Sequence, residues 1–408
     1  MATMKTVAFE PYDRAFQADP YPVYDRIRPA SPFFHDDWGL TFFARHADVD
    51  ALLRDRRLGR DVRHVMEPPE DLRRRLYPPQ YPTWTRTIRG SFIDLEPPEH
   101  TRLRSLVAKA FTRRHIDRLR PRVEGLAERL LDRALAEGGM EVIADFATPI
   151  PLMTIADLLA IPEPDRQRLL AWSHAIVRLF EPGATSDEGR AAERAVTEFV
   201  EYVRRLVLAR RAEPGEDLIS AMATVEIAGR RLSDDEVVSS AILTLNAGHE
   251  ATVHAIGNGA LALLRHPDQF DLLREEPGTV ATAVDELLRF DAPLQMFERW
   301  VLEDMEWNGY RLTKGGKVGL LFGAANRDPD AFADPGRLDL RRRGNPHVSF
   351  GAGIHFCAGA PLAWMELEVA FAALARRVRR LEAVVEEPPR VTSLVFRGLT
   401  ELPVAVSA

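Results

Sequence analysis

Chemistry in this chain has to begin with its one cysteine. Cys357 sits in the run Phe350-Gly351-Ala352-Gly353-Ile354-His355-Phe356-Cys357-Ala358-Gly359, followed by Pro361 and a strongly helical stretch to about residue 380. A single thiol rules out an intramolecular disulfide, and a Cys-based zinc site needs more thiols than exist. On its own such a residue is either an inert core cysteine or a reactive one. The surroundings favour the second. Glycines at 351, 353 and 359 imply a backbone in unusual dihedrals lying close against something flat. The following helix then begins just past the sulfur, where its free amides favour an anion, so the spacing predicts a thiolate, the form that ligates metal.

A second group of chemical residues, His249, Glu250 and His254, falls in one long helix. That helix is expected to start at Ser233, which forms a capping box with Glu236, and to run to His266-Pro267. Such a helix has some 30 residues and is roughly 45 Å long. Its apolar residues go all round, so it should be buried. His249-Glu250 begins like a metalloprotease helix, in which two histidines stand four apart. Here the second histidine is five along. Five residues turn about 500°, which leaves the two rings some 140° apart and unsuited to chelating one ion. Glu250, as a buried carboxylate, still requires a partner or a function.

Around these groups the chain is expected to form one large domain, residues 1–408, mainly α with small β-sheets (α+β). Hydrophobic residues make up 46% and charged residues 28% of the 408, a globular balance without linker or repeat. The first 60 residues mix short β-like runs with turns, residues 68–98 are proline-rich and read as a long loop, and residues 99–273 are mostly helical. No apolar run approaches the roughly 18 residues of a bilayer span, and the start has no signal-peptide pattern. A cytoplasmic protein without membrane insertion is the expectation. The net charge of −7 speaks against a nucleic-acid ligand, and Arg341-Arg342-Arg343 is too short for a basic recognition stripe.

The cysteine loop resembles the signature of the bacterial, soluble cytochrome P-450 family, whose cysteine thiolate is the proximal ligand of haem iron. The likeness runs from Pro20 to the C-terminus. Glu286-Leu287-Leu288-Arg289 is similar to the family's Glu-x-x-Arg helix, Ala324-Ala325-Asn326-Arg327-Asp328-Pro329 to the segment leading to the meander, and His100-Thr101-Arg102-Leu103-Arg104 to the haem-facing helix. The resemblance implies a haem-thiolate fold, with haem b (iron protoporphyrin IX) between the long central helix and the helix after the cysteine loop. Cys357 would ligate the iron, and Phe350 and Gly351 would contact the cofactor. His100, Arg104, Arg299 and His355 would hold its propionates, although His100 and Arg104 are also spaced as a solvated pair. Glu286 and Arg289 would be structural, bracing the meander.

By the same resemblance the chain would be a monooxygenase. It would insert one oxygen atom from O2 into a lipophilic small molecule, by hydroxylation or epoxidation, with electrons from a separate ferredoxin or flavodoxin and its reductase. A peroxide-driven oxygenase, an oxidative coupling enzyme and a non-catalytic haem-binding protein are the alternatives. Proton delivery is assigned to the Glu250, Ala251, Thr252 stretch, with one departure. The family's relay threonine is replaced by Ala251, and Thr252 lies about 100° further round the helix. Trp364, where many relatives have arginine, is expected to be a packing residue. The implied pocket is lined by residues 84–92, 243–247, 294–297 and 395–396, among them Leu243, Ala247, Leu294, Met296 and Phe396, with Glu298 and Arg397 as possible polar contacts. Docking of the electron donor is expected at Arg102, Arg113, Arg114 and Arg341 to Arg343.

Overall fold

The computed structural model describes residues 5–180 and 184–408. Its contacts gather into two compact units, one of residues 1–59, 123–150 and 251–408, the other of residues 60–122 and 151–250.

The first unit carries the larger sheets. Six strands pair in the order Lys5–Thr6, Phe33–His35, Leu40–Phe43, Lys317–Leu321, Met296–Val301 and Leu58–Gly59. Lys317–Leu321 runs parallel to Leu40–Phe43 and antiparallel to Met296–Val301, with Val318 opposite both Thr41 and Arg299. Both faces of this sheet are covered. Phe9, Phe16, Phe33 and Phe42 pack with Tyr24 and Met296 on one side, while Phe43, Val49, Leu52, Val301 and Phe322 form a second cluster. Four consecutive buried residues in Leu40–Phe43 are what a strand between two packed layers requires. A second sheet joins Arg380–Ala383, Pro403–Ser407 and Gly139–Glu141. The helices Val280–Phe290 and Ala360–Arg377 pack together in this unit.

The second unit is helical, with one small hairpin, Glu226–Ile227 with Arg230–Arg231. Arg166–Val177 packs on Ser186–Ala212. Trp172 stacks on Phe199 at 4.8 Å between ring centroids. The proline-rich stretch differs from its expectation as a loop, because Glu70–Leu76 and Pro82–Ile88 are helices. Pro69 is an N-cap and Pro82 a first-turn residue, positions where a missing N–H costs nothing. Glu193 receives the amides of Thr83 and Trp84 at 2.9 and 2.8 Å, closing the start of the second of these helices.

The long helix runs Asp234–Arg265, 32 residues. Its capping box forms as the sequence implies: the Ser233 amide donates to Glu236 at 2.8 Å and the Glu236 amide to the Ser233 hydroxyl at 3.3 Å. The helix is α throughout, with no 3₁₀ or π turn. Two of its glycines are set by close neighbours. A Cβ at Gly257 would lie 2.6 Å from Ile143 Cδ1, and one at Gly259 2.3 Å from Phe371 Cζ.

Candidate functional site

The cysteine loop is built by backbone geometry. Gly351 and Gly353 have φ of 68° and 69°, in the left-handed region that side chains disfavour. Gly353 is doubly constrained, since a Cβ there would come within 2.5 Å of the Leu53 carbonyl oxygen. Residues Gly353–His355 make a single 3₁₀ turn. The Cys357 amide donates to the Phe350 carbonyl at 2.9 Å, which folds the loop back on itself. Three residues later the Ala360–Arg377 helix begins, with Gly359 as its N-cap and Pro361 in its first turn. Cys357 is half-buried, beside the positive end of that helix. A thiolate suits this place, and the one available thiol, the left-handed glycines and the helix start together fit a flat cofactor ligated through sulfur.

Phe350 is fixed against Trp364, their rings 4.9 Å apart and at 68°. The Trp364 indole in turn donates to Asp285 at 3.0 Å. Trp364 therefore ties the helix after the cysteine to Val280–Phe290. Within that second helix Glu286 and Arg289 are wholly buried. Arg289 donates to both carboxylate oxygens, at 2.7 and 2.8 Å. It also reaches the carbonyls of Asn326, Pro335 and Arg337 at 2.9, 2.8 and 3.2 Å. Glu286 receives the Asp339 amide, Asn345 and Arg342 at 3.0 to 3.1 Å. One ion pair thus organises the loop segment 326–345. Arg342, expected on the docking surface, is instead spent on this pair with its side chain 12% exposed, which takes it out of that surface. Arg341 is exposed and pairs with Glu276.

The remaining expected residues fall as follows. Arg299 is buried on the Met296–Val301 strand, its guanidinium 4.8 Å from the Phe297 ring centroid. Alternation puts Met296 on the opposite face from both, in the aromatic core with Phe42. Met296 is consequently a core residue, and Phe297 is its neighbour on the face of Arg299. Leu294 and Phe396 are brought together as partners in an isolated antiparallel bridge. Arg397 donates to Asp291 at 2.6 Å and to the carbonyls of Gln17 and Ala18 at 2.8 and 3.0 Å, so its role is structural. Asp291 is buried, which raises its pKa, yet Arg397 and Arg390 outweigh that and hold its carboxyl below the usual range. Glu298 pairs with Lys317.

In the second unit His100 is buried on the Glu99–Ala110 helix, and burial with the nearby Arg104 charge pushes its pKa down to about 4. Arg102 is committed to Glu99 and Glu236. Arg113 and Arg114 are exposed, with Asp117 3.7 Å from Arg113. Trp84 is buried with its indole donating to the Ile176 carbonyl at 3.2 Å. Along the long helix Leu243 is half-buried, Ala247 exposed and Ala251 half-buried, while Thr252 is 5% exposed. Steps of four give these three one face of the helix, and Thr252 is off it. His254 goes elsewhere, 6.0 Å from the Phe396 ring and against Gly398. Glu250 instead meets His174, an exposed residue of the Arg166–Val177 helix, at 3.7 Å. No sequence pattern links position 174 to 250, and that partner was not foreseen.

A family model described as Cytochrome P450 matches residues 60–397. The chain belongs to the cytochrome P450 family. It is 37% identical to the polyketide biosynthesis cytochrome P450 PksS of Bacillus subtilis, over 99% of this chain and all of that one. The solved PksS structure superposes with a TM-score of 0.88, covering 98% and 100% of the two chains at 36% identity. The vitamin D(3) 25-hydroxylase of Pseudonocardia autotrophica is 37% identical over 100% of this chain and 98% of its own. A myxobacterial P450, CYP267B1, solved in complex with myristic acid, has 39% identity and a TM-score of 0.88, over 98% and 100% of the chains. The protein is thus an oxidoreductase of the P450 monooxygenase class, whose members bind haem iron through a cysteine thiolate. No helix among the described residues is long and apolar enough to cross a membrane.

Proposed function

We propose that this P450 hydroxylates or epoxidises a lipophilic small molecule in the cytoplasm, with haem b ligated by Cys357 and electrons from a separate ferredoxin or flavodoxin served by its own reductase. The observation that carries the reading is the cysteine loop, in which left-handed glycines place the chain's one thiol beside a helix start, a setting that favours an anion. Bound haem supplies the activation of O2 and the transfer of one of its oxygen atoms. By the family resemblance, Phe350 and Gly351 would contact it, and His100, Arg104, Arg299 and His355 would hold its carboxylates by charge-assisted hydrogen bonds. By the same resemblance, Leu243 and Ala247 of the second unit and Leu294 and Phe396 of the first would each contribute contacts to substrate. An apolar surface of this kind selects a lipophilic ligand, consistent with the vitamin D(3) and myristic acid named for two relatives.

Glu250 carries the incoming proton on its carboxylate. The position next to it has a methyl group in place of a hydroxyl, and the unbroken α-helix keeps Thr252 from taking over. The last transfer therefore runs through water or through a polar group of the substrate. That same methyl favours a second reading, a peroxide-driven oxygenase, which needs no such delivery. Comparing peroxide-driven with donor-driven turnover separates the two. The thiolate itself is tested by the absorbance of the reduced carbon monoxide adduct. Cys357→Ser and Cys357→His should abolish the band diagnostic of thiolate ligation, and its survival in either would overturn the assignment.

A further inference from the structure

The spacing of His249 and His254 excludes one ion shared between them, but the fold supplies a different second histidine. His174, His249 and Glu250 each offer a ligand atom, and these three atoms all lie within 4.8 Å of one another. The His174 and His249 rings are 6.1 Å apart between centroids, and His174 Nε2 is 3.7 Å from Glu250 Oε1. We propose that His174, His249 and Glu250 form a site for a divalent transition-metal ion of the zinc class.

Two imidazoles and a carboxylate are a donor set suited to zinc, with the fourth tetrahedral position left to water. Ligand bonds of about 2.0 to 2.2 Å place neighbouring donors roughly 3.4 Å apart in a tetrahedron. The His174–Glu250 edge, at 3.7 Å, already lies near that spacing, and no edge has to shorten by more than about 1.4 Å. The mobile member can do this, because the His174 side chain is 56% exposed while His249 is held in the interior. Exposure of His174 also opens the entry path for the ion. An independent feature marks the same helix face. Asn246, one turn before Glu250, is buried with neither side-chain amide atom hydrogen-bonded among the described residues. Three and four residues from His249 and Glu250, it is placed as an outer partner for a ligand or for a metal-bound water.

Occupation of the site would take the Glu250 carboxylate out of proton transfer, so the ion would act as an inhibitor that enters from the surface. The inhibition rests on the proton role proposed above for Glu250; the binding does not.

The test uses haem-loaded protein, in which the lone thiol is engaged, dialysed against Zn2+ with metal analysis of the protein. One Zn2+ per chain should bind, and His174→Ala and His249→Ala should each weaken it by at least the roughly tenfold that follows loss of even an outer-shell partner. His174→Ala should resist inhibition by Zn2+, read as the ratio of its own turnover with and without the ion. No tight Zn2+, or a stoichiometry and affinity unchanged in both variants, would overturn the site and leave His174 and Glu250 as a simple contact. Zn2+ binding that is lost in His174→Ala, with turnover of the parent protein indifferent to Zn2+, would uphold the site and overturn the proton role of Glu250.

Discussion

Arg289→Met would remove the centre of the most heavily bonded ion pair in the first unit while keeping an apolar stem of similar length. Two hydrogen bonds to Glu286 and three to the carbonyls of Asn326, Pro335 and Arg337 disappear together. Breaking a buried pair by removing one partner costs about 3–5 kcal/mol, and each buried carbonyl left without a donor adds on the order of 1 kcal/mol. Glu286 keeps Arg342, Asn345 and the Asp339 amide, which places its share near the lower end. A net loss of about 5–6 kcal/mol is a large part of the roughly 5–15 kcal/mol that stabilises a typical fold. Because all three carbonyls belong to residues 326–337, the loss should be local. Amide hydrogen exchange of haem-loaded protein should show protection in residues 326–345 falling by about a hundredfold or more, with the Asp234–Arg265 helix little changed. Arg289→Lys should fall between, since one ammonium reaches Glu286 but not three carbonyls at once. Equal protection in the Met variant and the parent, or a loss spread evenly over both units, would refute the bracing role.

Three further perturbations follow from other sites. Ala251→Thr should raise the fraction of reducing equivalents that yields product with substrates lacking a polar group, and do little for a substrate that supplies its own hydroxyl; equal change for both, measured as product formed per donor oxidised, removes substrate assistance. Charge reversal at the exposed Arg113 and Arg114 should slow reduction by an acidic donor in a salt-dependent way, and an unchanged rate at low salt takes them out of the interface. Burial pushes the pKa of His254 down to about 4, well below the roughly 6.5 of an unfolded histidine. Its native form is neutral, so between those values the unfolded chain binds a proton that the native one refuses. Stability is then full above pH 6.5 and lost by up to about 1.4 kcal/mol per pH unit as pH falls toward 4. His254→Gln should flatten that slope in unfolding measurements across pH, and an identical slope would assign the acid sensitivity to other groups.

The capping box, the long helix and the cysteine loop were readable because each is local: a few residues at fixed spacing determine the geometry. Proline was misread at 69 and 82 because the same residue that ends one helix begins the next, and only the acidic or polar turn after it tells the cases apart. Arg342 looked like part of a solvated run, since no local feature says that Glu286, 56 positions earlier, receives it. Met296 was misplaced by one strand residue, which is all it takes to change faces. His174 had no signal at all. Its meeting with Glu250 is made by helix packing, and neither residue lies in a pattern with the other.

Two crowded glycines of the long helix, Gly257 and Gly259, bear on attempts to toughen the protein. Replacing helical glycine by alanine is a routine route to higher melting temperature, because it removes freedom from the unfolded chain. At Gly257 and Gly259 the added methyl would press on Ile143 and Phe371, and relief would have to come from displacing well-packed side chains, at a typical cost of about 1–3 kcal/mol. A stabilisation campaign ranked on helix propensity alone would therefore choose two of its worst substitutions from this helix, and would gain more by first shortening the opposing residue, as in Ile143→Val beside Gly257→Ala.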